Sequence, residues 1–336
     1  MVHIGVVGAG YWGPNLIRTF HELPGAKLLK IADRDAKVLQ KMSRQYPDVE
    51  VCREGTCVIE DPKIDAVVLA VPSALHFALG KESLRAGKHL FVEKPLALTV
   101  EDSEQLVKLA HEGRRVLMVG HLLKYHPAVK KLKELVAQGT LGEIRYIYSR
   151  RLNLGKIRRE ENALWNFAPH DLSVILHLLD TFPTEVSAVG ASYLQEGIED
   201  VAFINLVFPG GVIANLHVSW LDPHRRREFT VVGSKKMALF NDVSTSEKIR
   251  IYDKGVSCAK SYSSFGESLS IRTGDIWSPW VETTEPLKLE CEHFIHCIEN
   301  GTEPLSSGLD GIRVVRILEA AQISMEKRGE PVRIGG

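Results

Sequence analysis

The sequence predicts an α/β protein in two parts, a doubly wound parallel sheet followed by an α+β domain with an open, mostly antiparallel sheet. Three observations carry this. The first 120 residues alternate short apolar, β-branched runs with amphipathic stretches, the pattern of strands buried on both faces and joined by helices. After Gly142 the runs lengthen and alternate apolar with polar residues, as strands with one buried face do. At 336 residues the chain also exceeds what a single core usually organises.

Taken in order, the parallel strands are expected at Val2–Val7, Leu28–Asp33, Ala66–Val71, His89–Glu93 and Val116–Gly120, with a shorter one over residues 49–53. Helices are expected to begin near Pro14, Ala36, Ser73 and Thr99. Pro14 suits a first helical turn, where its missing N–H has no partner to lose. The second sheet is read in Glu143–Leu152, Ala202–Phe208, Val212–Trp220, Glu228–Val232 and Met237–Phe240, interrupted by a helix from about Pro169 to Leu179. Helices over Leu289–Glu299 and Leu309–Glu326 close the chain. The domain boundaries that follow are 1–121 and 122–336, with the final helix free to pack back on the first domain.

Composition narrows the function classes. The 42 basic side chains balance 42 acidic ones, so no charge excess points to nucleic acid. No apolar run approaches the roughly 18 residues of a membrane span, and the start lacks the charged and apolar regions of a signal peptide. A cytoplasmic protein is expected. Five cysteines, at 52, 57, 258, 291 and 297, form no C-x-x-C pair, and reduced thiols are the simplest reading.

The first chemical signal is Gly8-Ala9-Gly10-Tyr11-Trp12-Gly13, which follows a strand and opens a helix. G-x-G-x-x-G in that context is the phosphate-binding turn of a Rossmann domain, with backbone N–H groups free to reach a pyrophosphate. Asp33 ends the next strand, 20 residues beyond Gly13. A carboxylate there accepts ribose hydroxyls and repels a 2′-phosphate, favouring NAD over NADP. Arg34 works against that preference, since it can attract the phosphate or stack on adenine. Two further loops follow strands at the ligand-binding edge, Ala70-Val71-Pro72-Ser73-Ala74-Leu75-His76 and Glu93-Lys94-Pro95.

The glycine turn, the P-x-x-x-H loop, E-K-P and a downstream histidine segment together resemble the glucose-fructose oxidoreductase, inositol dehydrogenase and MocA family (Gfo/Idh/MocA), over essentially the whole chain. The resemblance implies an NAD-dependent dehydrogenase of CH–OH donors, with Lys94 beside the nicotinamide and the substrate hydroxyl. The chemistry agrees, because an ammonium near that oxygen stabilises a developing alkoxide. Val71, Pro72, His76 and Glu93 join Gly8, Gly10, Tyr11, Trp12, Gly13, Asp33 and Arg34 as the expected cofactor contacts.

Residues 163–173 resemble the family's D-x-x-x-H segment, with Asn166 at the aspartate position and His170 at the histidine. His170 is the expected general base, since imidazole exchanges a proton near neutrality; the competing reading is a histidine at the start of the Pro169 helix. Asn166 departs from the pattern, because an amide orients an imidazole without supplying charge. Asp171 either supplies that charge or caps the helix. The same stretch looks like enzymes that oxidise the 3-hydroxyl of UDP-N-acetylglucosamine or its uronic acid, in amino-sugar biosynthesis. A diphosphate substrate would find cations at Lys156-Ile157-Arg158-Arg159 or at Arg225-Arg226-Arg227, with Asn153 and Trp165 as further contacts.

Two tempting signals carry less. Cys291-Glu292-His293-Phe294-Ile295-His296-Cys297 concentrates metal-ligand types, but on a helix Cys291 lies about 200° around from His293, so no metal is expected. Gly233-Ser234-Lys235-Lys236 lacks the upstream glycine of a phosphate loop and reads as a hairpin turn. Three functions remain: an NAD-dependent dehydrogenase acting on C3 of a UDP-linked N-acetylhexosamine or its uronate, a free-sugar or inositol dehydrogenase, and a non-catalytic NAD-binding sensor or assembly subunit. A homo-oligomer, dimer or tetramer, is expected in any case, and neither nucleic acid nor membrane as partner.

Overall fold

The computed structural model describes residues 1–155, 157–159, 161–258 and 269–335. In chain order the elements begin with β1 (Val2–Val7), α1 (Gly13–Glu22), β2 (Ala26–Ala32), α2 (Ala36–Gln45), β3 (Glu50–Cys52), α3 (Thr56–Ile59) and β4 (Ala66–Leu69). They continue with α4 (His76–Arg85), β5 (His89–Glu93), α5 (Val100–Glu112) and β6 (Leu117–Gly120). After α6 (Pro127–Ala137), β7 (Ile144–Leu152) and α7 (Ala163–Leu179) come β8 (Glu185–Ala191), β9 (Val201–Val207), β10 (Ile213–Ser219), β11 (Arg226–Gly233) and β12 (Met237–Asn241). The chain ends through β13 (Ile249–Cys258), β14 (Leu269–Trp277), α8 (Pro286–Asn300), α9 (Gly308–Glu326) and β15 (Val332–Arg333).

Two compact units result, one of Met1–Tyr125 with Thr284–Arg316, the other of His126–Thr283 with Ile317–Gly336. The first holds a six-stranded parallel sheet in the order β3-β2-β1-β4-β5-β6. Its strands β4 and β6 are buried at every position because both faces are covered. Ile4, Val6, Val68, Phe91 and Met118 feed one core with Leu16 and Phe20 of α1 and Leu287 and Phe294 of α8. Their neighbours Val67, Leu69, Leu90, Val92 and Val119 feed the other, with Leu84 and Leu106. Phe20, Phe91 and Phe294 meet edge to face at 5.6–6.3 Å between centroids, contacts worth about 0.5–1.5 kcal/mol each beyond their buried area.

The second unit holds a nine-stranded sheet ordered β14-β13-β12-β11-β7-β10-β9-β8-β15. β10 pairs parallel with β7, and the other pairs are antiparallel. α7 covers one face, against β7, β9 and β10. On the other face apolar residues stay exposed, as at Val189, Phe203, Val207, Ile213 and Tyr146.

Local expectations are corrected in three places. α7 starts at Ala163, six residues before the expected Pro169, because Asn162 caps it by accepting the Trp165 N–H at 3.1 Å. Pro169 then sits inside the helix, where a lost backbone bond costs about 3 kcal/mol. Burial of Leu164, Leu172, Ile175 and Leu176 on the same helix offsets it. α6 and the strands β8, β13, β14 and β15 are elements that the sequence reading left unassigned. Cys52 and Cys57 are joined as a disulfide with Cα atoms 6.8 Å apart, which overturns the expectation of reduced thiols there, while Cys291 and Cys297 are free and buried. Among the described residues no helix is long and apolar enough to cross a membrane.

Candidate active site

The turn between β1 and α1 has the three properties a dinucleotide needs. Gly8 has φ +98°, and a Cβ there would lie 2.4 Å from the Ala70 carbonyl oxygen, so only glycine closes the turn this tightly against β4. At Gly13 a Cβ would meet the Gly8 carbonyl oxygen at 2.2 Å, so the helix starts in direct contact with the strand end. Gly10 faces open space, with nothing within 4 Å of a Cβ position, which leaves its backbone approachable by a phosphate. Tyr11 beside it is 72% exposed. The residues present therefore fit a dinucleotide. Asp33 lies beside the same turn, its carboxylate accepting the N–H groups of Ala9 at 2.7 Å and Asp35 at 2.9 Å. Arg34 is exposed, and its carbonyl accepts a bond from Arg53 at 3.4 Å.

The two loops at the same sheet edge are tied to each other. His76 is 1% exposed and points its Nδ1 at the Pro95 carbonyl (2.7 Å) and its Nε2 at the Val71 carbonyl (3.0 Å). Its place is beneath the loops, holding Val71 and Pro95, rather than on an open surface; Pro72 is exposed. The Lys94–Pro95 peptide is cis. Lys94 is half-buried, and its backbone N–H donates to Glu93 Oε2 at 3.3 Å. Glu93 receives the Trp12 side chain as well. Desolvation pushes its carboxyl up to about 7, against the opposing pull of the Lys94 charge and these two donors.

In the second unit, His170 is half-buried in the middle of α7 and so does not cap a helix start. Asp171 takes neither of its expected roles. Its carboxylate receives Arg151 of β7 in a bidentate pair, Nε at 2.8 Å and Nη2 at 3.0 Å, with both side chains buried. Burial works against the Arg151 charge, but Asp171 more than offsets it, and the guanidinium stays above its usual range. The pair clamps α7 to the sheet one residue after His170. Asn166 donates to Glu161, which also pairs with Arg158 at 3.7 Å, so amide and guanidinium meet on one carboxylate. Asn162 adds bonds to Glu199 at 2.6 Å and Gln322 at 3.0 Å. Asn153 and Trp165 are half-buried and Arg159 is exposed, whereas Lys156 lies outside the described residues. Arg227 pairs with Asp242 at 3.4 Å, and Arg225 is exposed.

Several groups escaped the sequence reading. His121 is 1% exposed with neither ring nitrogen partnered, and burial, with Lys124 nearby, pushes it down to about 3. Glu290 is equally buried and unpartnered, and burial raises its carboxyl well above the usual range. His121 follows an apolar run and Glu290 an alternating one, and no spacing distinguishes them from surface residues. His293, from the discounted cluster, accepts the Leu305 N–H at 3.0 Å and touches Cys297 at 3.4 Å. Among the described residues no three His, Cys, Asp or Glu side chains converge to hold a metal.

Known proteins share this architecture. Residues 2–121 match the oxidoreductase family with an NAD-binding Rossmann fold, and residues 129–239 match the GFO/IDH/MocA C-terminal domain. A UDP-N-acetylglucosamine 3-dehydrogenase of Acidithiobacillus ferrooxidans is 25% identical over 338 residues, 97% of this chain and 98% of its own. A 2,7-anhydro-N-acetylneuraminate hydratase of Escherichia coli is 28% identical over 235 residues, 64% of this chain, and the match spans 61% of that relative's length. Among solved structures, the UDP-N-acetylglucosamine 3-dehydrogenase of A. ferrooxidans superposes with a TM-score of 0.81 at 23% identity, over 97% of this chain and 99% of its own, a likeness of fold. Matched in both halves, this chain belongs to the Gfo/Idh/MocA family of NAD-binding oxidoreductases.

Proposed function

We propose that this oxidoreductase removes hydride from a secondary alcohol of a nucleotide sugar, the C3 position of UDP-N-acetylglucosamine or of its uronic acid, in the cytoplasm. The observation that carries the reading is the placement of Lys94, in a loop bound to the cofactor turn through Glu93 and Trp12 and to the neighbouring loop through His76. The similarity along nearly the whole chain to a UDP-N-acetylglucosamine 3-dehydrogenase supports the substrate class.

Nicotinamide, when bound, supplies the hydride acceptor. Lys94 holds the substrate oxygen and steadies the negative charge that develops on it. His170 takes the hydroxyl proton, and the Arg151–Asp171 clamp keeps its helix in place. Arg158 and Arg159 serve the diphosphate, Asn153 and Trp165 the sugar or the base, and Asn166 orders Glu161 beside Arg158. Asp33 selects NAD over NADP, its free lone pairs meeting ribose hydroxyls and its charge repelling a 2′-phosphate.

NAD reduction by the purified protein, assayed on UDP-N-acetylglucosamine, its uronic acid, myo-inositol and glucose, tests the reading. The UDP-sugars are expected to be the substrates, and Lys94→Ala or His170→Ala to lower kcat/KM at least about 10²-fold. Preference for inositol or glucose overturns the substrate, and NAD binding without turnover on any of them turns the protein into a sensor or assembly subunit.

A homo-oligomer built on the open face of the second sheet completes the proposal. Tyr146, Ile213 and Val207 lie side by side across β7, β10 and β9, and Val189, Phe203 and His217 form a second row. Two copies joined there would bury Tyr146, Val189, Phe203, Val207 and Ile213, which are now 36–49% exposed. Sedimentation equilibrium should return a dimer or tetramer; a monomer at micromolar concentration rejects this part.

A further inference from the structure

In the second unit the connection from β8 to β9 is organised by one buried carboxylate. Asp200 is 0% exposed, and its Oδ2 accepts the backbone N–H groups of Tyr193 at 2.6 Å and Leu194 at 2.9 Å. Its Oδ1 accepts the indole N–H of Trp220, just past β10, at 2.6 Å. Burial works against the charge, but these donors more than offset it and hold the carboxyl below its usual range. The backbone leading into Gln195 is therefore fixed. Gln195 and Ile198 then close a turn through an isolated bridge, with φ +74° at Gly197.

This turn reaches back to the segment that precedes α7. Gln195 is half-buried, and its side-chain Nε2 donates to the Arg158 carbonyl at 2.8 Å, across 37 residues of chain. Further ties of that segment end on the same neighbourhood. Asn153 donates its backbone N–H to the Ser219 carbonyl at 3.1 Å, Ala163 donates to the Glu199 carbonyl at 2.8 Å, and the Asn162 side chain donates to Glu199 Oε2 at 2.6 Å. Arg158 is thus fixed both at its carbonyl, by Gln195, and at its guanidinium, by Glu161 at 3.7 Å.

We infer that Gln195 is a positioning residue for Arg158, fixing the backbone of this arginine so that its guanidinium meets the diphosphate of the substrate. The inference rests on the proposed reading in which Arg158 serves that diphosphate. The two restraints on Arg158 differ in kind. Glu161 holds the guanidinium itself and competes with an incoming anion for it, whereas Gln195 acts on the backbone and stays engaged when the anion binds. A chain already ordered loses less conformational freedom on gripping its ligand. A neutral amide suits the place, because it donates to a carbonyl without setting a negative charge beside an anion.

Two measurements test this. Trypsin cleaves after arginine, and the carbonyl that Gln195 holds belongs to the Arg158–Arg159 peptide. Gln195→Met keeps the length of the side chain and removes the donor. Cleavage of the native protein at that peptide, followed by mass spectrometry, should be about fivefold faster in Gln195→Met than in wild type, the effect of one lost hydrogen bond. Calorimetric titration of UDP into the NAD-loaded protein should show binding weakened by about the same factor in Gln195→Met. In an Arg158→Met background the same change should have no further effect on UDP, since its influence passes through Arg158. A merely structural role would weaken UDP equally in both backgrounds. Equal cleavage rates in wild type and Gln195→Met, or a loss of UDP affinity undiminished by Arg158→Met, overturns the inference. Should Arg158→Met weaken UDP while Gln195→Met does not, the inference alone fails. Should Arg158→Met bind UDP as the wild type does, the diphosphate reading fails and takes the role of Gln195 with it. Gln195→Asn, one methylene short of the carbonyl, replaces Gln195→Met if the latter does not fold.

Discussion

The glycine turn of the first unit and the α7 helix of the second carry the two halves of the proposed chemistry, and they are built in opposite ways. The turn works through backbone, and its fit depends on a few residues next to each other plus the Ala70 carbonyl. α7 works through side chains, and its partners are far away in sequence, Arg151 by 20 residues, Glu199 by 37 and Gln322 by 160. A backbone site leaves a motif because only glycine meets its steric demands. A side-chain site leaves none, because many residues could meet its polar needs and the fold selects which of them arrive.

The contrast makes its strongest prediction at Arg151. Arg151→Met leaves the Asp171 carboxylate buried without its partner and should lower unfolding stability by about 3–5 kcal/mol, read from urea denaturation. The double variant with Asp171→Leu should recover most of it, since the uncompensated charge is then gone. Equal stability of Arg151→Met and wild type would mean that α7 does not depend on its distant partner. At the turn the expected effect is smaller. Gly13→Ala sets a Cβ 2.2 Å from the Gly8 oxygen, and overpacking of that kind costs about 1–3 kcal/mol. Calorimetry should find it mainly as lost NAD affinity; unaltered binding would show the turn to be more yielding than its geometry implies.

The third effect is a slope with pH. Burial lowers His89 to about 4 and His121 to about 3 in the folded chain, against about 6.5 unfolded. Between those values the unfolded state binds more protons, so stability rises with pH. The contribution is present above about pH 6.5 and is lost as pH falls towards 4 for His89 and 3 for His121, by no more than about 1.4 kcal/mol per unit for each histidine. His121→Asn should flatten its share of the slope in denaturation series between pH 7 and about 4. An unchanged slope would show that the imidazole is solvated after all.

Legibility follows the same division within the candidate site. Gly8, Gly10, Gly13 and Asp33 declared themselves by type and spacing, and the strands before and after them by unbroken apolar runs. The start of α7 did not, because Pro169 is the loudest local signal and the cap at Asn162 speaks only once the helix is known to be buried. Asp171 looked like a partner for its neighbour His170, yet successive residues on a helix diverge by about 100°, and its true partner stands on β7. The Cys52–Cys57 bond was missed because four residues of intervening chain say nothing of how tightly it turns from β3 into α3.

By itself the sequence determined that the chain begins with a parallel, dinucleotide-binding sheet and continues with a largely antiparallel one. These features are written in short-range periodicity and in the steric uniqueness of glycine. Tertiary structure decided that α8 returns to the first sheet, that Arg151 meets Asp171 and that His76 joins two loops. Such pairs arise from long-range packing of apolar faces, and the charge of a carboxyl or imidazole depends on how much water that packing removes.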